Sequence, residues 1–354
     1  MAETIQELYL HNPMIKKRWE NFLKDRGITV FADQEVDTID QTIGLFDEQD
    51  NLVGTGSIAG KTIKYIAVSD DGSGESGSRF NQLVSALEMK LAEAGHFQIF
   101  VFTKPQYETS FQHVGFNTLA KTDYGLILEK GTPNIDTYRK GLPQKPEGAK
   151  STVAIVMNAN PFTKGHRYLV EKAAKENDCV YVFVVNQDVS LFTTQERTQL
   201  VEEGTKDWDN VLVANGGDYM VSYLSFPAYF IKDQDNAIKY QTALDASLFK
   251  NQLAKPLGIQ TRYLGTEPTS HTTNLYNETL KTILPPEVDV KEIPRLTAGS
   301  GQNVVSAREV RALIKDGSIE PLAQYVPETT ANFIKENLDL LQKRILKGQK
   351  INGN

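Results

Sequence analysis

Cysteine is nearly absent from this chain: Cys179 is the single one among 354 residues. One thiol excludes an internal disulfide and any cysteine-built metal cluster, and a chain without disulfides suits the cytoplasm. A basic excess is also missing. The formal net charge is −7, whereas a general nucleic-acid binder would carry a basic face. No apolar run approaches the ~20 residues that span a bilayer, so neither nucleic acid nor membrane is an expected partner. Met1-Ala2-Glu3 opens on an acid with no apolar stretch behind it, which argues against a secretory signal. Nor is there a cluster of carboxylates that would dedicate a site to a metal ion.

What remains is a globular composition, 40% hydrophobic and 23% charged, in a chain too long for one ordinary core. Two domains are expected: residues 1–130 and 151–354, joined by a linker over 131–150. That linker, GTPNIDTYRKGLPQKPEGAK, is rich in proline and glycine and lacks sustained apolar periodicity. In the second domain apolar runs alternate with helical patterns, with strands at Val153–Met157, Val180–Val185, Val211–Ala214, Thr261–Leu264 and Val288–Ile293. Helices are read at Thr194–Gly204, Phe226–Thr242 and Thr272–Leu284, and a closing helix at Thr329–Leu346. Such alternation predicts a doubly wound parallel sheet, with ligands held beyond the carboxyl ends of its strands.

The strand Val153–Met157 runs through Asn158-Ala159-Asn160-Pro161 into a helix carrying Leu169, Val170 and Ala173. A helix start after a strand is a place for phosphate, because free N–H groups and the helix dipole both favour an anion. Gly165 lets an anion approach the main chain, and His166 is placed to donate a charged or neutral hydrogen bond to it. Ser306 reads as the N-cap of a late helix, with Arg308 and Arg311 in its first turns.

In the first domain a helix carrying Met14, Ile15, Trp19, Phe22 and Leu23 precedes a hairpin over 43–58 and a strand Thr62–Val68. A Gly/Ser-rich loop over 69–78 then leads to a helix with Phe80, Leu83, Val84, Leu87 and Leu91. The strand Phe97–Phe102, a short helix ending at Gly115-Phe116, and strands Thr118–Lys121 and Gly125–Glu129 complete it.

This order resembles the GNAT acetyltransferase fold, in which such a loop and helix cradle the pyrophosphate of acyl-CoA. Glu75, Ser76, Ser78 and Phe80 stand where that family has Arg or Gln and its glycines. The domain is therefore not expected to act as an acetyltransferase. A docking module, a weakened site for a CoA-like group and a plain linker loop all stay open. His96 and His113 read as packing or surface residues.

Asn160-Pro161-Phe162-Thr163-Lys164-Gly165-His166 resembles the first signature of the adenylyl- and cytidylyltransferase superfamily, and Val304-Val305-Ser306-Ala307-Arg308-Glu309-Val310-Arg311 its second. Ser190 to Arg197 and Gly265-Thr266-Glu267-Pro268 are similar to two further segments. The implied fold class is α/β, a GNAT-like α+β domain followed by a Rossmann-like nucleotidyltransferase domain. The resemblance implies that ATP is bound by Asn160, Thr163, Gly165, His166, Arg197, Gly265, Thr266, Glu267, Ser306 and Arg311. It also implies that His166, Arg308 and Arg311 work on the phosphates and that Mg²⁺ is held mainly by phosphates and water. With both halves in this order, the chain resembles the [citrate (pro-3S)-lyase] ligase family. That resemblance implies ATP-dependent acetylation, through acetyl-AMP, of the CoA-like prosthetic group on the acyl carrier subunit of citrate lyase, with acetate as co-substrate. Other readings are an adenylyltransferase making NAD or dephospho-CoA, and an acetyltransferase fused to a nucleotide sensor.

Overall fold

The computed structural model describes residues 3–29, 31, 33–70, 75–186, 190–220, 231, 234–266, 270–298 and 303–348. The chain divides into two compact units, Met1–Tyr138 with Phe226–Leu248, and Arg139–Ser225 with Phe249–Asn354.

The first unit begins β1 (Thr4–Glu7), α1 (Pro13–Lys24), α2 (Asp33–Val36), β2 (Gln41–Phe46), β3 (Leu52–Ala59) and β4 (Thr62–Val68). It continues α3 (Ser76–Glu93), β5 (Gln98–Thr103), α4 (Glu108–His113), β6 (Asn117–Lys121) and β7 (Leu126–Gly131). These strands form one seven-stranded sheet in the order β1-β2-β3-β4-β5-β7-β6. All neighbours are antiparallel except β4 and β5. A parallel pair needs a crossover, which α3 provides.

Leu83, Val84, Leu87 and Leu91 of α3 are buried on one face of the sheet. Glycines make this closeness possible: a Cβ at Gly54 or Gly56 on β3 would sit 2.6 Å from Leu83 or Leu87. On the other face Trp19, Phe22 and Leu23 of α1 pack with Tyr65. Met14, expected beside them, is 79% exposed, one turn too early to reach the sheet. β1 escaped the sequence reading because its TIQE is exposed throughout and shows no alternation.

The expected linker holds a helix, α5 (Ile135–Gly141), whose start is fixed by Asn134 Oδ1 accepting the Thr137 N–H at 3.0 Å. The second unit then runs β8 (Thr152–Met157), α6 (Lys164–Glu176), β9 (Cys179–Val184), α7 (Thr194–Thr205) and β10 (Val211–Asn215). The next helix, α8 (Gln234–Leu248), corrects the expected domain limits. It follows β10 in sequence but belongs to the first unit, where it packs on β6 and Ser247 Oγ donates to the Lys121 carbonyl at 3.2 Å. A local pattern shows that a helix has an apolar side, not which sheet will cover it.

After a π-helical turn (Phe249–Ala254) come α9 (Lys255–Leu257), β11 (Thr261–Gly265), α10 (His271–Ile283) and β12 (Asp289–Ile293). The unit closes with α11 (Ala307–Asp316), α12 (Leu322–Tyr325), α13 (Glu328–Glu336) and α14 (Leu338–Leu346). The single closing helix expected over 329–346 is thus two, because Asn337 leaves helical geometry (φ −114°) and its Nδ2 donates to the Phe333 carbonyl.

The five-stranded sheet has the order β10-β9-β8-β11-β12 and is parallel throughout. β9, CVYVFV, is wholly buried, as a strand covered on both faces should be. Strand order reverses between β8 and β11, so the crevice for a ligand opens beyond their carboxyl ends. Among the described residues no helix is long and apolar enough to cross a membrane.

Candidate active site

β8 ends at Met157 and α6 starts at Lys164; the six residues between them build the site floor. Ala159 is held at φ +49°, a left-handed conformation that costs a non-glycine residue about 1 kcal/mol. Buried arginines bracket it. Arg197 donates to the Asn158 carbonyl at 2.7 Å, and Arg311 to the Asn160 carbonyl at 2.5 Å. The loop shape is therefore imposed by side chains from α7 and α11, distant in sequence.

Thr163 caps α6 and accepts the His166 N–H. The Thr163 backbone N–H in turn donates to His166 Nδ1 at 3.0 Å. A nitrogen that accepts a main-chain N–H carries no proton, so the imidazole proton lies on Nε2. Burial, with Arg295 and Arg311 nearby, pushes the imidazole down from 6.5 to about 4. His166 is thus a neutral donor at pH 7 with its Nε2–H turned away from the cap. Phe162 stacks on the ring at 5.9 Å, and the missing side chain of Gly204 makes room for Phe162, since a Cβ there would lie 2.5 Å from its edge.

The second signature comes to the same place. Ser306 Oγ caps α11 by accepting the Arg308 N–H at 3.1 Å, leaving the hydroxyl proton to donate elsewhere. A Cβ on Gly165 would lie 3.5 Å from the Val305 carbonyl, ordinary contact, so protein packing alone does not demand glycine there. Arg311 is 4% exposed, and burial together with Arg308 lowers its guanidinium to about 10. Arg308 itself is exposed on the first turn of α11.

Several of the expected ligands are hydrogen-bonded within the protein. Arg197 is fully buried. Its N–H groups go to Phe192 O, Asn158 O and Oδ1, Val185 O and Thr194 Oγ1, so it clamps the loops after β8 and β9. Replacing Arg197 with Ala is expected to cost about 3 kcal/mol of stability, because carbonyls are left without donors; equilibrium denaturation in urea measures it. Thr163 is turned to His166, and the Asn160 side chain accepts the Phe192 N–H at 3.1 Å, so both shape the site from behind.

Gly265 ends β11, with open space where a Cβ would be. Thr266 follows, and Glu267 lies outside the described residues. Arg295, beyond the end of β12, was missed in the sequence. Its main-chain N–H reaches Thr266 Oγ1 and its Nε reaches the Thr266 carbonyl at 2.7 Å, and it acts electrostatically on His166. The only signal was its position two residues past an apolar strand end. Among the described residues no group of His, Cys, Asp and Glu gathers that could hold a metal ion.

Among the described residues the arrangement offers donors and positive charge without a nucleophile or a strong base, which suits binding and polarising a polyphosphate. A family model described as the citrate lyase ligase C-terminal domain matches residues 152–334. Over 323 residues the chain is 34% identical to a "[Citrate [pro-3S]-lyase] ligase" of Klebsiella pneumoniae, covering 90% of this chain and 92% of that one. Over 114 residues it is 31% identical to a phosphopantetheine adenylyltransferase of Corynebacterium diphtheriae, covering 31% of this chain and 70% of the relative. It is also similar to an aminoglycoside 6′-acetyltransferase type Ii at 19% identity and a TM-score of 0.31, over 36% of this chain and 96% of that structure.

Proposed function

Because the chain belongs to the [citrate [pro-3S]-lyase] ligase family, we propose that it activates acetate with ATP. The acetyl group then passes to the thiol of the CoA-like prosthetic group on the acyl carrier subunit of citrate lyase. In the first step an acetate oxygen bonds to the α-phosphorus of ATP as the bond to the bridging oxygen breaks, and pyrophosphate leaves. In the second the carrier sulfur bonds to the acetyl carbon, AMP departs, and the thiol proton passes to solvent.

The reading rests on one observation: a neutral His166, its Nε2–H fixed as a donor by Thr163, sits under the electrostatic influence of Arg311 and Arg295 beyond the strand-order switch. His166 donates to an α-phosphate oxygen as charge builds there. The N-terminus of α11, Ser306 and Arg311 hold the departing β- and γ-phosphates, with Arg308 supplying long-range attraction from the surface. Gly265 and Thr266, steadied by Arg295, border the place for the nucleoside. Mg²⁺ fits as an ion carried on the triphosphate by phosphate oxygens and water, where it would neutralise charge on the leaving group. A cavity in the first unit receives the thiol-bearing arm.

Acetate-dependent exchange of labelled pyrophosphate into ATP tests the first step without any carrier. Exchange that requires acetate and Mg²⁺ is expected. Exchange driven instead by a mononucleotide, with acetate inert, would replace this reading with that of a cofactor adenylyltransferase.

A further inference from the structure

β4 and β5 pair only at Thr62–Phe100 and Ile63–Val101, although β4 continues to Val68 and β5 to Thr103. The parting strands border a cavity of about 670 Å³ walled by Ile66, Val68, Phe80 and Phe111, with Ser76 and Gly77 of α3 at its rim. Parted strands offer main-chain hydrogen bonds to a linear chain of amides, and the apolar wall suits its methylenes. The amino end of an 18-residue helix beside such a cleft would ordinarily welcome a diphosphate. Here it does not. Glu75 occupies the N-cap of α3 and makes no side-chain capping bond. Arg79, the cation one turn along, is buried and already held by Glu3 at 2.7 Å and Glu75 at 3.1 Å. Arg26, which also lines the cavity, donates to Val68 O, Phe22 O and Ser69 Oγ. Lys104 lines the cavity beyond the end of β5.

We propose that Glu75 is a selectivity residue: it cancels the attraction of the α3 amino end for a nucleoside diphosphate. The cleft therefore holds the amide arm weakly and leaves the remaining affinity to contacts with the protein that carries it. The inference rests on the proposed transfer to a carrier-borne thiol. Its consequence is that free coenzyme A is a poor acceptor, although it bears the same arm.

Calorimetric titration of the full chain with coenzyme A, and with pantetheine, which lacks the diphosphate, tests this. The unaltered chain is expected to bind the two within about threefold of each other. Glu75→Gln should tighten coenzyme A by about fivefold and leave pantetheine unchanged, and Glu75→Lys should tighten it further. Thermal melts are expected to show both variants folded, because the Glu75 side chain is largely exposed. The inference is overturned if coenzyme A already binds the unaltered chain more than tenfold tighter than pantetheine. It is equally overturned if neither variant moves the ratio, or if no protein binds either thiol at millimolar concentration. Acetate-dependent pyrophosphate exchange reads the other unit alone, so exchange with an unmoved ratio defeats the selectivity claim and leaves the activation of acetate standing.

Discussion

Replacing His166 with alanine is expected to lower acetate-dependent pyrophosphate exchange by about 10²–10³-fold, the loss typical of one preorganised donor to a developing oxyanion. The direction of the imidazole sharpens the test. Because Nδ1 accepts the Thr163 main-chain N–H, the working proton is on Nε2. Gln, whose amide nitrogen can approach the Nε2 position, should retain more activity than Asn, whose amide matches Nδ1. If Asn and Gln are equally poor, the ring acts through its packing on Phe162 and not as a donor.

The pH dependence follows from the same geometry. With the folded value near 4, His166 stays neutral through the usual assay range, and exchange between about pH 5 and 8 should show no inflection from it. Stability should respond. Between the folded value and 6.5 the unfolded chain binds the proton more readily, so stability is full above 6.5 and falls as the pH drops toward 4. For a ring that retains partial contact with solvent the loss is about 2 kcal/mol, absent in the His166→Gln chain. Urea midpoints at pH 7 and pH 5 measure it.

Arg311 carries the second large effect. It is buried, donates to the Asn160 carbonyl, and faces the site where the triphosphate would lie. Arg311→Ala should therefore combine two losses: about 2 kcal/mol of stability from an undonated carbonyl in a loop holding Ala159 left-handed, and exchange lowered by about 10³-fold. Arg311→Lys should recover little, because a single ammonium cannot keep the carbonyl and also present a planar fork to phosphate. Arg308, exposed on the same helix, provides the contrast. Arg308→Ala should raise the KM for ATP by about fivefold with kcat nearly unchanged and with a strong dependence on salt. Equal effects at the two positions would place the triphosphate over the surface of α11 and not in the crevice.

The legible parts of this protein are those whose cause is local. β8 and β9 are short runs of buried β-branched and aromatic residues, and α6 announces itself through the Thr163 cap and its apolar spacing. Both stretches proposed to hold phosphate could be found because each joins a loop to a helix start within a few residues. What could not be read depends on partners far along the chain. Arg197 stands in a segment similar to one that borders a nucleotide, yet its guanidinium turns inward because the carbonyls of Asn158, Val185 and Phe192 converge on it. Arg295 matters only because β12 lies next to β11 and so brings it over Thr266. The allegiance of α8 is decided by β6, more than a hundred residues earlier, and no window along the sequence contains both.

The most direct measurement of the central claim incubates the protein with ATP, Mg²⁺, acetate labelled in its carbonyl carbon, and deacetylated citrate lyase. The products are followed by mass spectrometry of the acyl carrier and by chromatography of the nucleotides. The account predicts a labelled acetyl thioester on the carrier's prosthetic group, one AMP released for each thiol acetylated, and neither product with Arg311→Ala. An unmodified carrier beside unconsumed ATP, or acetylation that proceeds from acetyl-CoA without ATP, would contradict it.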